Sequence, residues 1–266
     1  MTNKNLIVLL AVAAPLAIAA LYLSSSSRPS GAKLNGEKVL GNLDVSEVSS
    51  ISFSDKIALS SGENGWKIDS YYGYPASREK IVENLLKLAE LKVGQVSRGV
   101  KIEKPLAVRL ADAKGKEICS LKLGERHPKW GRGRYALYKG QSVLVSDVLD
   151  AFDATGDADQ IAKRWCESKI VDEPWISFNK VVDPATDAAL FGFSTGVVAK
   201  VKVGADTNVV LTVGAALKDS TDRYVKLGNS SWVYTVSSYS VESFLPKPPE
   251  NKKSDEKNTP AKQEKK

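Results

Sequence analysis

Few side chains in this sequence have the types and spacing that chemistry requires. The 266 residues hold one histidine, His127, and two cysteines, Cys119 and Cys166. Neither cysteine is spaced as a ligand or nucleophile around His127, so zinc binding and Ser-His or Cys-His catalysis lack converging partners. The run Gly131-Arg132-Gly133-Arg134 is not a dinucleotide loop, because the glycine spacing is wrong and no strand-to-helix context follows. Acidic residues are scattered, with no Asp or Glu pair in a recognisable motif. The expectation is a protein that is not an enzyme, with no catalytic residues, no cofactor and no metal.

The strongest chemical signal is electrostatic. The segment Arg126-His127-Pro128-Lys129-Trp130-Gly131-Arg132-Gly133-Arg134 packs four permanent cations and an indole into nine residues. Arg126, Lys129, Trp130, Arg132 and Arg134 are therefore candidates for contact with an anion or a partner: a lipid headgroup, an acidic glycan or a cluster of protein carboxylates. The plainer alternative is a solvated hairpin loop in which Arg134 makes a structural contact, as Arg223 would further along the chain. The aromatic cluster Tyr71, Tyr72 and Tyr74 beside Trp66 offers stacking faces for sugar rings. Its commoner use is to pack on a sheet edge and close a turn.

The elements that must position these residues come in two copies. Leu121 to Phe152 and Leu211 to Phe244 each open with an alternating strand that ends in glycine (Gly124, Gly214). Each continues through a polar loop to Arg-Tyr (Arg134-Tyr135, Arg223-Tyr224), a glycine turn (Gly140, Gly228), a β-rich run ending in serine (Ser146, Ser237) and a closing phenylalanine. The loop of the second copy, 215–222, is not basic, so the repeat does not itself demand the charge. Alternation predicts Leu121, Leu123 and Val143 on the core side of the first copy, and Leu211, Val213 and Val233 on that of the second. Phe152 and Phe244 should each close a unit by packing on its sheet.

Around the first copy, Val48–Phe53, Ile57–Leu59 and Trp66–Ile68 read as a small meander. Ser77 caps a helix over Arg78–Leu91 whose Ile81, Val82, Leu85, Leu86, Leu88 and Ala89 form one broad apolar face. Val108–Leu110 and Ile118–Leu123 form a hairpin across Asp112-Ala113-Lys114-Gly115. A second helix spans Ala158–Ser168, with Ile161, Ala162, Trp165 and Cys166 inward. The second unit opens with Ile176-Ser177-Phe178, echoing Ile51-Ser52-Phe53, and then has a short helix over Pro184–Leu190. Strands Val197–Val203 and Val209–Val213 lead into the second Arg-Tyr segment. Cys119 and Cys166 could pair in an oxidising compartment. Two buried thiols are the preferred reading, since two cysteines make no disulfide framework.

Ahead of all this, Leu6 to Leu23 is an eighteen-residue run without a charge, long enough to cross a bilayer core. Lys4 before it favours a cytoplasmic N-terminus. The segment reads as an uncleaved signal-anchor in preference to a cleaved signal peptide. The Ser/Gly/Pro-rich stretch after it reads as a tether. The net charge is +7, but residues beyond Pro246 carry seven lysines against four carboxylates. The excess is partly a tail effect, so no nucleic-acid partner is expected. The division is thus 1–5 cytoplasmic, 6–23 transmembrane, 24–43 tether, 44–167 a first α+β unit, 168–246 a shorter β-rich unit, and 247–266 a disordered Lys-rich tail.

Several of these segments together resemble a known pattern: Gly65-Trp66 ending a β-pair, Gly73-Tyr74-Pro75-Ala76 opening a leucine-rich helix, the strand pairs with their glycine turns, and Phe191-Gly192-Phe193 before the last strand pair. Over residues 44–246 the chain resembles the bacterial domain of unknown function 4340 family, which usually has Gly-Leu where this sequence has Gly192-Phe193. The resemblance implies a membrane-anchored envelope protein of the bacterial inner membrane, with its folded part extracytoplasmic. Members of that family are often encoded near ABC-type transport components of the gliding-motility kind, which points to such a system as the setting. The resemblance carries over no catalytic residue. The resulting expectation is a non-enzymatic accessory or scaffold protein of an envelope complex. The alternative is a module that binds an anionic envelope polymer or lipid through the basic loop.

Overall fold

The computed structural model describes residues 34–129, 131 and 133–246. The expected membrane segment 6–23, tether residues 24–33 and the Lys-rich tail lie outside the described residues, as do Trp130 and Arg132. Residues 34–43 are not a tether: Leu34 and Val39 are buried, and the Gly36 and Val39 N–H groups donate to the Val93 and Leu91 carbonyls. Among the described residues no helix is long and apolar enough to cross a membrane. The chain is α+β, mostly antiparallel sheet with few helices. It divides into two compact units between Ser168 and Lys169, one residue from the boundary expected.

The first unit is built on a nine-stranded antiparallel sheet of order β4-β3-β2-β1-β6-β7-β8-β9-β5. Its strands are β1 (Ser50–Phe53), β2 (Ile57–Gly62), β3 (Gly65–Ile68), β4 (Tyr74–Pro75), β5 (Val93–Val96), β6 (Leu106–Ala111), β7 (Glu117–Arg126), β8 (Arg134–Tyr138) and β9 (Gln141–Val145). The expected meander is β1 to β3. Lys139-Gly140 joins β8 to β9 as a two-residue turn with both φ positive, the geometry that matches strand twist.

Helix α1 (Arg78–Ala89) starts where Ser77 accepts from the Lys80 N–H. It buries Ile81, Leu85 and Leu88, and Asn84 is buried by donating to the Lys80 carbonyl at 2.7 Å. Val82 and Leu86 are exposed, which corrects the broad face expected. Both lie one position past the i, i+4, i+7 stripe, and a 3.6-residue period turns them away from the sheet. Helix α2 (Ala158–Lys163) is closed by an Asp157–Gln160 capping box and stops short of the expected Ser168. Ile161, Ala162, Trp165 and Cys166 are nevertheless fully buried. Trp165 meets Phe152 edge-on at 5.1 Å and Phe53 at 5.8 Å, and Phe53 meets Phe152 at 5.4 Å. This triad is the aromatic centre of the unit.

The second unit has a five-stranded antiparallel sheet of order β12-β16-β15-β14-β13 and a two-stranded β10-β11 pair. Its strands are β10 (Lys169–Val171), β11 (Ile176–Ser177), β12 (Lys180–Val181), β13 (Val197–Val203), β14 (Asp206–Ala216), β15 (Asp222–Leu227) and β16 (Val233–Ser237), followed by a single helical turn, α3 (Ser238–Val241). Read from the other edge, the first unit contains the same five-strand order, β5-β9-β8-β7-β6. β7 and β14 break register at the same place. Leu123 pairs Ala136 and Arg126 pairs Arg134, while Val213 pairs Val225 and Ala216 pairs Arg223, one extra residue on the long strand each time.

Leu121, Leu123, Val143, Leu211 and Val213 are buried as alternation requires. Val233 is only half-buried. Cross-strand pairing puts Tyr234, opposite Val225, where Val143 stands opposite Ala136. The β15–β16 connection is longer than the two-residue β8–β9 turn, so counting from the turn slips the phase by one. Phe152 is fully buried, but Phe244 is half-buried and Val241 is sealed beneath the sheet instead. Pro184–Leu190 forms no α-helix. Asp183 caps a turn at Ala185, and a 3-10 turn follows over Ala188–Phe191. Ile176-Ser177 pairs with β10 and not with the large sheet, unlike its echo in β1.

Candidate functional site

Two cations of the basic loop, Arg126 and Arg134, are committed to structure. Arg134 is 5% exposed. Its Nε donates to the Gly124 carbonyl at 2.9 Å, and its Nη1 to the Val148 and Leu149 carbonyls at 3.4 Å each. Burial pushes its pKa down, partly offset by Asp153. Arg134 is thus not available at the surface, which corrects its place among the contact candidates. Arg126 lies at the surface but is gripped by Asp150 at 2.7 Å and Asp153 at 2.9 Å. Arg164 donates to the backbone carbonyls of Asp153 and Thr155. Three arginines therefore fasten the segment 147–155 to the sheet and α2. Asp153 is held below the usual carboxylate range. Burial raises it, but hydrogen bonds from Thr155 and Arg126 together outweigh burial.

Lys129 is exposed and, alone among the described candidates, lies at the surface without an ion pair. The His127 ring leans on Tyr135 at 5.6 Å, and its Nδ1 accepts the Lys129 N–H at 3.2 Å. Beside the arginines a cleft of about 800 Å3 opens between α1 and the β9 loop, lined by Lys80, Glu83, Lys87, Arg126, Asp147 and Asp150 among others. Its charges are mostly matched: Lys87 to Glu83 at 2.6 Å, Arg126 to Asp150, and Lys80 to the Cys166 carbonyl at 2.5 Å.

Tyr71 and Tyr74 are buried and meet edge-on at 6.2 Å, closing the turn before β4, while Tyr72 remains partly exposed in the left-handed region. Cys119 and Cys166 are free thiols. Burial pushes both up to about 11, with Glu117 adding to the effect at Cys119. Neither is poised as a nucleophile at neutral pH. Among the described residues no group of three or more His, Cys, Asp or Glu side chains could hold a metal ion.

The second unit presents a different surface, one that sequence reasoning missed. A groove of about 1270 Å3 runs between β13, β14 and the turns that follow β16. Trp175 and Tyr239 line it and are 69% and 85% exposed. Val197, Leu245, Pro174 and Pro246 supply apolar walls, and Thr195, Ser240 and Ser243 supply hydroxyls. Arg223 and Glu242 are its charged members. Arg223 already donates to the Gly214 carbonyl at 3.0 Å, which repeats the Arg134–Gly124 bond of the first unit. The Lys169 ammonium sits 4.8 Å from the Trp175 ring centroid and props the indole from one side. Two large aromatic faces left in water beside an apolar trough are suited to binding, not to proton transfer. The one signal in the sequence is Tyr239, an aromatic set among serines. Trp175 sits in an apolar-looking stretch where burial is the default reading.

No protein-family model, curated protein or solved structure matches the chain.

Proposed function

We propose that this chain is a non-catalytic accessory protein of a bacterial envelope complex that captures a partner in the groove of its second unit. The observation that carries the reading is the exposure of Trp175 and Tyr239 over that groove. Supporting it, Arg126 and Arg134 of the basic loop are engaged with carboxylates or with backbone carbonyls. The uncharged run 6–23 supports a single-pass anchor in the inner membrane, with the folded units on the extracytoplasmic side. The resemblance to the domain of unknown function 4340 family supports an envelope setting and an ABC-type transport partner. The shared strand order, bulge and Arg–Gly bond support descent of both units from one ancestor. Anion binding through the basic loop is the weaker reading, because Arg126 and Arg134 are already engaged.

The test is site-specific photocrosslinking in native membranes. A photoreactive residue at Tyr239 should give a discrete protein adduct, and one at the exposed Tyr72 of the first unit should not. An adduct at Tyr72 alone, or at neither, would remove the basis for the groove.

A further inference from the structure

We propose that the partner enters as an extended polypeptide that adds an antiparallel strand to the outer edge of β13, with its core-side side chains falling into the groove; this rests on the groove being the binding site. In the first unit, β6 is the strand that corresponds to β13 by order and register: Val108 pairs Leu121 as Ala199 pairs Leu211. The outer edge of β6 is filled by β1, with Ser52 opposite Arg109 and Phe53 opposite Val108. In the second unit this pairing begins and then stops. The Asp172 N–H donates to the Lys202 carbonyl at 2.9 Å, as the Ser49 N–H does to the Ala111 carbonyl at 2.9 Å. Glu173 also bridges Lys202, but the chain goes no further along β13, and Ile176-Ser177 folds back onto β10. β13 therefore ends its sheet as an edge strand.

The backbone groups that an added strand would use can be identified. Lys202 exchanges its N–H and C=O with Glu173, on the side away from β14. Alternation points the same groups of Lys200 and Val198 the same way. This agrees with the Val210 carbonyl, opposite Lys200, being taken on the β15 side by the Gly228 N–H. Val198 is 63% exposed, a large apolar side chain at an open edge. A strand lying here would set alternate side chains beside Val197, at the wall of the groove. Its other side chains would join the face that carries Lys200, Lys202 and, across Thr212 from Val198, Lys226. The fitting occupant is an alternating apolar and acidic segment of another protein. A second copy fits poorly, because an antiparallel β13 pair would gather the lysines of both copies on one face.

The probe is an end-blocked, fluorescently labelled peptide of about eight residues, long enough to cover the strand, alternating valine and glutamate. It is titrated by anisotropy against the full-length chain in mild detergent. Lys200→Pro removes only an outward N–H, so the fold should stand, which thermal unfolding verifies. The expected result is saturable binding, weakened at least about fivefold by Lys200→Pro and also by Trp175→Ala. Loss with Trp175→Ala but not with Lys200→Pro overturns strand addition and leaves the groove standing. Binding indifferent to both variants, or to replacement of glutamate by lysine in the peptide, overturns both. No binding of the peptide, or a dimer that Lys200→Pro disperses, overturns the proposed occupant while the Tyr239 crosslink still reports on the groove.

Discussion

The Arg134 guanidinium donates to the Gly124 carbonyl at 2.9 Å, across a bulge that both units share. A bulge frees a carbonyl from its ladder, and a long cation from the neighbouring strand takes it up. Arg223 and Gly214 repeat the bond at 3.0 Å. Arg134 is buried and serves two further carbonyls, whereas Arg223 is half-exposed and donates to the Gly214 carbonyl. Arg134→Ala should therefore destabilise the first unit by about 3 kcal/mol, and Arg223→Ala the second by about 1 kcal/mol. Urea unfolding of the two variants measures the difference. Equal losses would mean that burial of the guanidinium adds nothing.

Glycine at the bulge is required by space. A Cβ at Gly214 would stand 2.0 Å from the Phe191 carbonyl oxygen, a backbone atom that cannot turn aside. At Gly124 it would meet side-chain carbons of Ile102 and Tyr135 at 3.0 to 3.1 Å. Gly214→Ala should leave the second unit largely unfolded, while Gly124→Ala should cost about 1–3 kcal/mol. Circular dichroism melts distinguish the outcomes.

Phe152 closes the first unit within the Phe53–Trp165 triad, so Phe152→Ala should cost about 3–5 kcal/mol. Phe244 is half-buried, and truncating it should cost about 1 kcal/mol, less than truncating a core phenylalanine. Denaturant midpoints give the ranking, and a larger loss at Phe244 would contradict this packing.

Acid should loosen the strap over residues 147–155. The Asp153 carboxyl is held below its ordinary value, so its contribution is present above the unfolded pKa of about 3.9 and is lost as pH falls through the folded value. Asp153→Asn should lower the melting temperature at neutral pH, and the gap to the parent should close below that window. A gap that persists at lower pH would mean that the carboxylate charge is not what matters.

The thiols should be slow. With burial pushing both up to about 11, Cys166 should resist alkylation at pH 8 until the chain unfolds, and the half-buried Cys119 should react sluggishly. Mass spectrometry after iodoacetamide treatment, with and without urea, reads this directly. Rapid labelling of Cys166 in the native protein would refute its burial.

Much of the sheet architecture was legible because alternation and glycine placement are local. Leu121, Leu123, Leu211 and Val213 announced their face, and Ser77 announced its helix. The misreadings have separate causes. Val82 and Leu86 lie one position off the buried helical stripe, Val233 follows a longer connection that shifts the strand phase, and Phe244 yields its place to Val241. The basic loop drew attention because charge is conspicuous in sequence, yet Arg134 spends its charge on carbonyls that only the folded chain brings near. The groove left no comparable trace. Trp175 reads as core by composition, and its exposure follows from β11 folding back onto β10.

Burial also sorts the indoles by their surroundings. Trp165 is sealed in the aromatic triad of the first unit with no hydrogen-bond partner for its indole N–H, while Trp175 stands in water in the second. An excited indole relaxes against mobile solvent dipoles and emits further to the red when it can reach them. Trp165 and Trp175, two of the five tryptophans, are therefore chromophores of different colour: with Trp130 and the half-buried Trp66 and Trp232 replaced by phenylalanine, a blue-shifted emission should move when the first unit opens, and a red one when something settles over the groove.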